Sequence, residues 1–185
     1  PNSSLEMTAH LDRVLNKIKG EHTELTVTCP PNGPLAIESS YDEAMCAPGV
    51  LELVKKANEE KYDAVILACF SDPALEQARE ISDILVTGIE EISLHVAAML
   101  GSKFTVLTMT DKRVPSKEAH VRRFKLEGSL ASVRPLGMSV AEIDADEKRA
   151  CAQILKVAKE AAEKDGAEVI VLGCAGMAGY ADVVR

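Results

Sequence analysis

Two short apolar runs, each leading to a cysteine, constrain this chain more than any other feature. Ala64-Val65-Ile66-Leu67-Ala68 reads as a buried strand that ends at Cys69, and Glu168-Val169-Ile170-Val171-Leu172 reads as another that passes through Gly173 to Cys174. A helical pattern precedes each run. Leu51 to Lys61 puts Leu51, Val54 and Ala57, or Leu53 and Ala57, on one side. Ala150, Cys151, Ile154, Leu155, Ala158, Ala161 and Ala162 form an apolar stripe of helical period, closed by Gly166 as a C-terminal cap. The two cysteines therefore occupy the same place in two matching units.

The match extends backwards along the chain. Ahead of Cys174 the pattern predicts a strand (Lys103 to Thr108), a polar loop around Thr110, a helix (about Pro115 to Leu126), a strand (Ser132 to Leu136), the long helix and the last strand. Ahead of Cys69 it predicts a polar loop (Pro1 to Ser4), a helix (about Leu5 to Lys19), a strand (Glu24 to Cys29), a loop, a helix and a strand. Only the opening strand lacks a counterpart, so a strand is expected just upstream of Pro1 and the sequence reads as a fragment. Alternating helices and Val/Ile/Leu-rich strands predict an α/β fold of two pseudo-symmetric lobes, residues 1–100 and 101–185, each a parallel sheet flanked by helices. Ligands of open parallel sheets gather at the carboxyl ends of strands, where both cysteines lie, so the active site is expected in the cleft between the lobes.

With 185 residues, 46% of them apolar, the chain can bury a substantial core. It has neither an uninterrupted apolar run of about 18 residues nor a basic segment leading into an apolar one, which predicts a soluble, cytoplasmic protein with no membrane partner. A net charge of −8 and no basic cluster with interleaved aromatics exclude nucleic acid as the expected partner. Five widely spaced cysteines without a Cys-x-x-Cys pair argue against a disulfide scaffold or structural zinc. His10, His22, His95 and His120 lack metal spacing, and Gly101 and Gly173 build no nucleotide-binding motif. His95, in an apolar helical stretch, is expected to be structural. Asp111-Lys112-Arg113 and Arg122-Arg123 read as solvated charge, with steering of an anionic substrate as a lesser role for Arg113.

Cys69 is followed by Phe70-Ser71-Asp72-Pro73, in which Asp72 suits a helix N-cap and Pro73 the first helical position. A thiol at a strand end facing a helix start meets backbone N–H groups that favour thiolate over the free value of about 8.5. Cys174 sits among small neighbours, Gly173, Ala175 and Gly176, that let backbone approach a ligand. One such cysteine is ordinarily an inert buried side chain; two at equivalent repeat positions reverse that reading. Two opposed thiols, one waiting as thiolate and one as thiol, suit removal of a proton from one face of a carbon acid and its return to the other, while backbone N–H groups hold the oxygen that gains enolate character. Cys29 and Cys46 lack this placement, Cys46 reading as a loop residue, and Cys151 belongs to the core stripe of its helix.

The residues Pro1-Asn2-Ser3-Ser4, Gly33-Pro34 with Ile37-Glu38-Ser39, Ala68-Cys69-Phe70-Ser71-Asp72-Pro73, Val86-Thr87-Gly88-Ile89-Glu90 and Leu172-Gly173-Cys174-Ala175-Gly176-Met177, in this order and spacing, span nearly the whole chain. By them it resembles the aspartate/glutamate/hydantoin racemase superfamily, most closely its hydantoin and allantoin racemase branch. The resemblance implies a two-lobed pseudo-symmetric fold, no pyridoxal phosphate or other cofactor, no metal, and Cys69 and Cys174 as the two catalytic bases. It also implies that Asn2, Ser71 and Thr110, with backbone at Gly176, bind the substrate's polar groups. Helix or turn capping is the plain alternative for Asn2, Ser4 and Thr110. Family members open with a strand and continue past the second cysteine motif with a strand and helix that return to the first lobe, so the first lobe here is expected to lack both.

The expected activity is therefore inversion of the acidic stereocentre of a 5-substituted hydantoin or allantoin, by a small-molecule enzyme that forms a homo-oligomer. Aspartate or glutamate racemisation, or a related isomerase or decarboxylase reaction, is the alternative within the same chemistry. A non-catalytic small-molecule binding protein is the alternative outside it, and thiol reactivity separates the two classes.

Overall fold

The structure, a computed structural model, describes residues 1–185 apart from the side chain of Asp144. The chain divides into two compact units, Pro1–Gly88 and Ile89–Arg185.

In the first unit, helix α1 (Leu5–Ile18) starts at Ser4, whose hydroxyl accepts the Met7 amide, a cap worth about 1 kcal/mol. Helix α2 (Ser40–Glu59) starts in the same way at Ser39, which accepts from the Asp42 amide. Strand β1 (Ala64–Leu67), helix α3 (Leu75–Glu80) and strand β2 (Leu85–Gly88) complete the unit. The two strands are parallel, with Leu67 opposite Gly88. Cys46, Val50 and Val54 from α2 pack with Leu75 and Ala78 from α3 against Leu67 and Val86, each full-sized side chain contributing about 1.5–3 kcal/mol of burial.

The second unit comprises α4 (Ile89–Leu100), β3 (Phe104–Thr108), a 3-10 turn at Asp111–Arg113, α5 (Val114–Arg123), β4 (Leu130–Pro135), α6 (Val140–Ala145), α7 (Glu147–Asp165) and β5 (Val169–Leu172), followed by 3-10 turns at Ala175–Met177 and Ala181–Val183. Its sheet runs β4-β3-β5, all parallel. The central strand β3 is buried at every residue, as a strand covered on both faces must be. Around Leu107 gather Leu136, Met138, Ile143, Ile154, Val157 and Met177.

Parallel sheets flanked by helices thus hold, as does the alternation around β1, β3 and β5. Several details differ. Glu24–Cys29 joins no ladder, although Leu25, Val27 and Cys29 alternate as half-buried with exposed Thr26 and Thr28; period-two patterning is present without a paired neighbour. Helix α2 begins eleven residues ahead of the expected Leu51 and runs through Pro48, so Cys46 is a buried helix residue and not a loop residue. β1 is not a buried run: Ile66 is 62% exposed, as is Leu85 of the paired strand β2 at 64%, because α2 and α3 cover only the face that carries Leu67 and Val86. The stripe of α7 is rotated toward Val157, which is buried, while Leu155 and Ala162 are exposed. Finally α4, expected with the first lobe, packs against β5 and belongs to the second unit, so the division falls at Gly88/Ile89 and not after Leu100. Among the described residues no helix is long and apolar enough to cross a membrane.

Candidate functional site

Each unit carries one half-buried cysteine two residues beyond the last residue of a parallel strand, Cys69 after Leu67 of β1 and Cys174 after Leu172 of β5. Chain leaving a parallel strand must turn away from its neighbours, and both turns are closed on the cysteine's own carbonyl. The Cys69 carbonyl accepts from the amides of Ser71 (2.8 Å) and Asp72 (3.0 Å); that of Cys174 accepts from the amide of Met177 (3.0 Å).

At the first turn the Cys69 Sγ lies 3.5 Å from the Ser71 hydroxyl, so two of the expected site residues come together. Asp72 does not cap α3 as the sequence suggested. The N-cap position is Ala74, which makes no side-chain cap bond, while Asp72 is 8% exposed and has a positive φ of 46°. Beneath the turn lies Cys46, whose Sγ donates to the Glu43 carbonyl at 3.3 Å. Burial first, and then the charge of nearby Cys69, push the Cys46 thiol up to about 11, so Cys46 stays protonated at neutral pH. Asn2 accepts the Ser4 amide at 3.1 Å, a local turn just ahead of α1, whose N-cap is Ser4 and not Asn2. Its loop is tied to the Gly33-Pro34 segment, since Ser3 N–H donates to the Pro34 carbonyl (2.9 Å) and the Ser3 hydroxyl to that of Gly33 (2.9 Å).

At the second turn Gly176 is buried within Ala175–Met177, in the turn that opens at Cys174. Gly173 presses on β3: its amide donates to the Leu107 carbonyl at 2.8 Å, and a Cβ there would fall 2.5 Å from that oxygen. Only glycine lets β5 end so close to its neighbour. Thr110 lies two residues beyond the end of β3, at the same carboxyl edge, and its carbonyl accepts the Arg113 amide (3.0 Å); its side chain caps nothing.

Sequence reasoning missed one polar cluster in this unit. Glu90, at the start of α4, binds Lys117 Nζ through Oε1 at 2.8 Å and His120 Nδ1 through Oε2 at 2.6 Å. Lys117 and His120 are one turn apart on α5, a spacing that puts them on one face, and that was the only local signal. Arg113, read as solvated, is buried. His95 packs its ring edge-on to Phe124, with Nδ1 2.8 Å from the Glu91 carbonyl, consistent with a structural residue.

The Asp/Glu/hydantoin racemase family model matches residues 1–185. A hydantoin racemase of Pseudomonas sp. (strain NS671) is 37% identical over 182 residues, 98% of this chain and 73% of the relative. One of Rhizobium meliloti is 36% identical over 98% of this chain and 76% of its own length. Two solved structures superpose on the whole chain: allantoin racemase from Klebsiella pneumoniae, with a TM-score of 0.95, 29% identity and 75% of its length covered, and allantoin racemase from Pseudomonas fluorescens, with 0.93, 31% and 78%.

Proposed function

This chain belongs to the Asp/Glu/hydantoin racemase family, and from that premise we propose that it inverts the stereocentre of a 5-substituted hydantoin or of allantoin by proton transfer through Cys69 and Cys174. The observation that carries the reading is the equivalent placement of the two half-buried thiols, each two residues past a parallel strand in its own unit. Relatives that bear the names hydantoin racemase and allantoin racemase supply the substrate class.

The ring C–H of such a substrate lies between a carbonyl and a nitrogen, and its conjugate base is an enolate. In the proposed step one cysteine, as thiolate, takes that proton from one face and becomes a thiol. The other, as thiol, delivers a proton to the opposite face and becomes the thiolate, which leaves substrate and product with the same atoms and the reverse reaction with the roles exchanged. No cofactor or metal is required for this balance. Ser71, 3.5 Å from Cys69 Sγ, is assigned to hold a polar group of the ring beside that thiol. The backbone at Gly176 and the Thr110 hydroxyl, both at the carboxyl edge of the second sheet, are assigned to oxygen or N–H groups of the ring, and Asn2 to the same task from the first unit. Such donors count most where they meet the oxygen that gains charge.

A cytoplasmic homo-oligomer is part of the same proposal. Ile92, Val96, Met99 and Leu100 stand exposed at i, i+4, i+7 and i+8 on α4, a helical apolar stripe of the kind that marks association. Light scattering coupled to size exclusion tests it. The activity is tested by following the optical rotation of single enantiomers of allantoin, a 5-substituted hydantoin, aspartate and glutamate. Rotation decaying to zero for allantoin or the hydantoin alone supports the reading, and decay only for the amino acids refutes the substrate class.

A further inference from the structure

We propose that Asp72 is a positioning residue for the Cys69 turn and that Gly88 is the seat which holds it; the inference rests on the reading of Cys69 as a base. Asp72 and Ala74, flanking Pro73, both have positive φ (46° and 61°). Non-glycine residues in that region carry a steric cost, so the surrounding structure has to compensate for both. A capping bond does not do so, since the N-cap of α3 is Ala74.

The compensation lies against β2. A Cβ placed on Gly88 would fall 2.1 Å from Asp72 Cγ and 2.3 and 2.4 Å from its two carboxyl oxygens, so the carboxyl group rests directly on the Gly88 Cα. Gly88 is not among the glycines with positive φ. Space, and not backbone freedom, is therefore what glycine supplies there. Gly88 also pairs in register with Leu67, the last residue of β1.

The contacts close a ring of constraints. Cys69 leaves β1 two residues after Leu67, its carbonyl is bound by the Asp72 amide at 3.0 Å, and the Asp72 carboxyl is seated on the strand paired with β1. Asp72 is 8% exposed, which leaves its carboxyl little room to rotate off Gly88, so a displacement there passes to the amide, and with it to the carbonyl of Cys69 and the Sγ to Ser71 Oγ spacing of 3.5 Å. A displacement of the order of 1 Å at a reacting group costs about 100-fold in rate, so a residue that touches no substrate can still govern turnover here.

The test is a double-mutant cycle with two readouts, the rate of Cys69 alkylation by iodoacetamide, located by peptide mass, and kcat for racemisation. Gly88→Ala is expected to change the alkylation rate at least about 5-fold and lower kcat about 10-fold or more. In an Asp72→Gly background, where the carboxyl is gone and positive φ is free of strain, the same substitution is expected to change both less than about 2-fold. Asp72→Asn, alike in shape and tolerant of positive φ, is expected to rescue both to within about 3-fold of the parent, and it keeps the test open if Gly88→Ala does not fold. Equal effects of Gly88→Ala in both backgrounds, or Asp72→Asn falling as far as Asp72→Gly, would overturn the proposal. A wild-type protein without racemase activity would instead remove the catalytic reading, and the alkylation cycle would still report on positioning.

Discussion

Glu90 and Lys117 meet at 2.8 Å with their side chains 2% and 3% exposed, a charge pair taken almost wholly out of water, and His120 closes on the other carboxylate oxygen at 2.6 Å. Desolvation of two ions is offset only while each keeps its partner. Lys117→Met takes the buried cation from Glu90 Oε1 and leaves His120 on Oε2, and it is expected to destabilise the second unit by about 3 kcal/mol, whereas Glu90→Leu combined with Lys117→Met is expected to lose less than Lys117→Met alone. Urea unfolding with an unchanged m-value measures both; a double variant weaker than the single one contradicts the account.

The Cys46 thiol, pushed up to about 11 from 9.0 chiefly by burial, makes an alkaline prediction. Below pH 9 the thiol is protonated in folded and unfolded chains alike, and it adds nothing to the pH dependence. Between pH 9 and 11 the unfolded chain releases this proton and the folded one keeps it, so stability falls with rising pH by roughly 3 kcal/mol. Cys46→Ala should remove this component from the pH profile of the urea midpoint. At pH 7.5, iodoacetamide should modify Cys69 and leave Cys46 untouched in the native protein.

At the acid end the relevant group is Asp165, bound by Arg134 Nε at 2.5 Å and Nη2 at 2.8 Å. The Arg134 hydrogen bonds, with help from Ser132, hold its carboxyl at about 2 instead of 3.8. The sign is that of a depressed acid: its contribution, about 1 kcal/mol after solvent screening, is complete above pH 3.8 and lost as pH falls through about 2. Asp165→Asn should flatten the acid limb of the stability profile over that window and leave the stability difference between pH 5 and 7 unchanged.

Gly173→Ala is the counterpart test at the second cysteine. The new Cβ would lie 2.5 Å from the Leu107 carbonyl oxygen, backbone that cannot swing aside, so β5 must shift and carry Cys174 with it. A loss of about 1–3 kcal/mol in stability is expected from the overpacking, with a fall in kcat larger than any rise in KM. An unchanged kcat would mean that the placement of Cys174 does not matter to turnover.

Much of the fold was legible because buried parallel strands and amphipathic helices write their periods locally. β1, β3 and β5 lie where the apolar runs predicted them, with Cys69 and Cys174 just beyond the ends of β1 and β5. What stayed hidden was long-range or disguised. The loop expected at Cys46 is part of α2, which runs on through Pro48, with Gly49 giving room for Pro30, whose Cβ lies 2.7 Å from where a Gly49 Cβ would be. Asp72 before Pro73 carries the local signature of a helix cap, and only the approach of Gly88, sixteen residues on, shows that its carboxyl goes elsewhere. Glu90 and its partners are 27 and 30 residues apart, and no pattern within either helix alone announces that they meet. Burial of Arg113 was hidden for the same reason, since the surrounding Asp111 and Lys112 read as solvent-facing charge.

The two-thiol account is tested most directly by following deuterium uptake at the stereocentre of each separate enantiomer of allantoin or a 5-substituted hydantoin in deuterated water, for wild type, Cys69→Ser and Cys174→Ser, against the uncatalysed blank. Wild type should exchange and racemise both enantiomers. Each variant should lose racemisation by a factor of about 1000 or more and retain exchange with one enantiomer only, the opposite one in the two variants. Racemisation surviving in either variant, or both variants exchanging the same enantiomer, would contradict the assignment of one cysteine to each face.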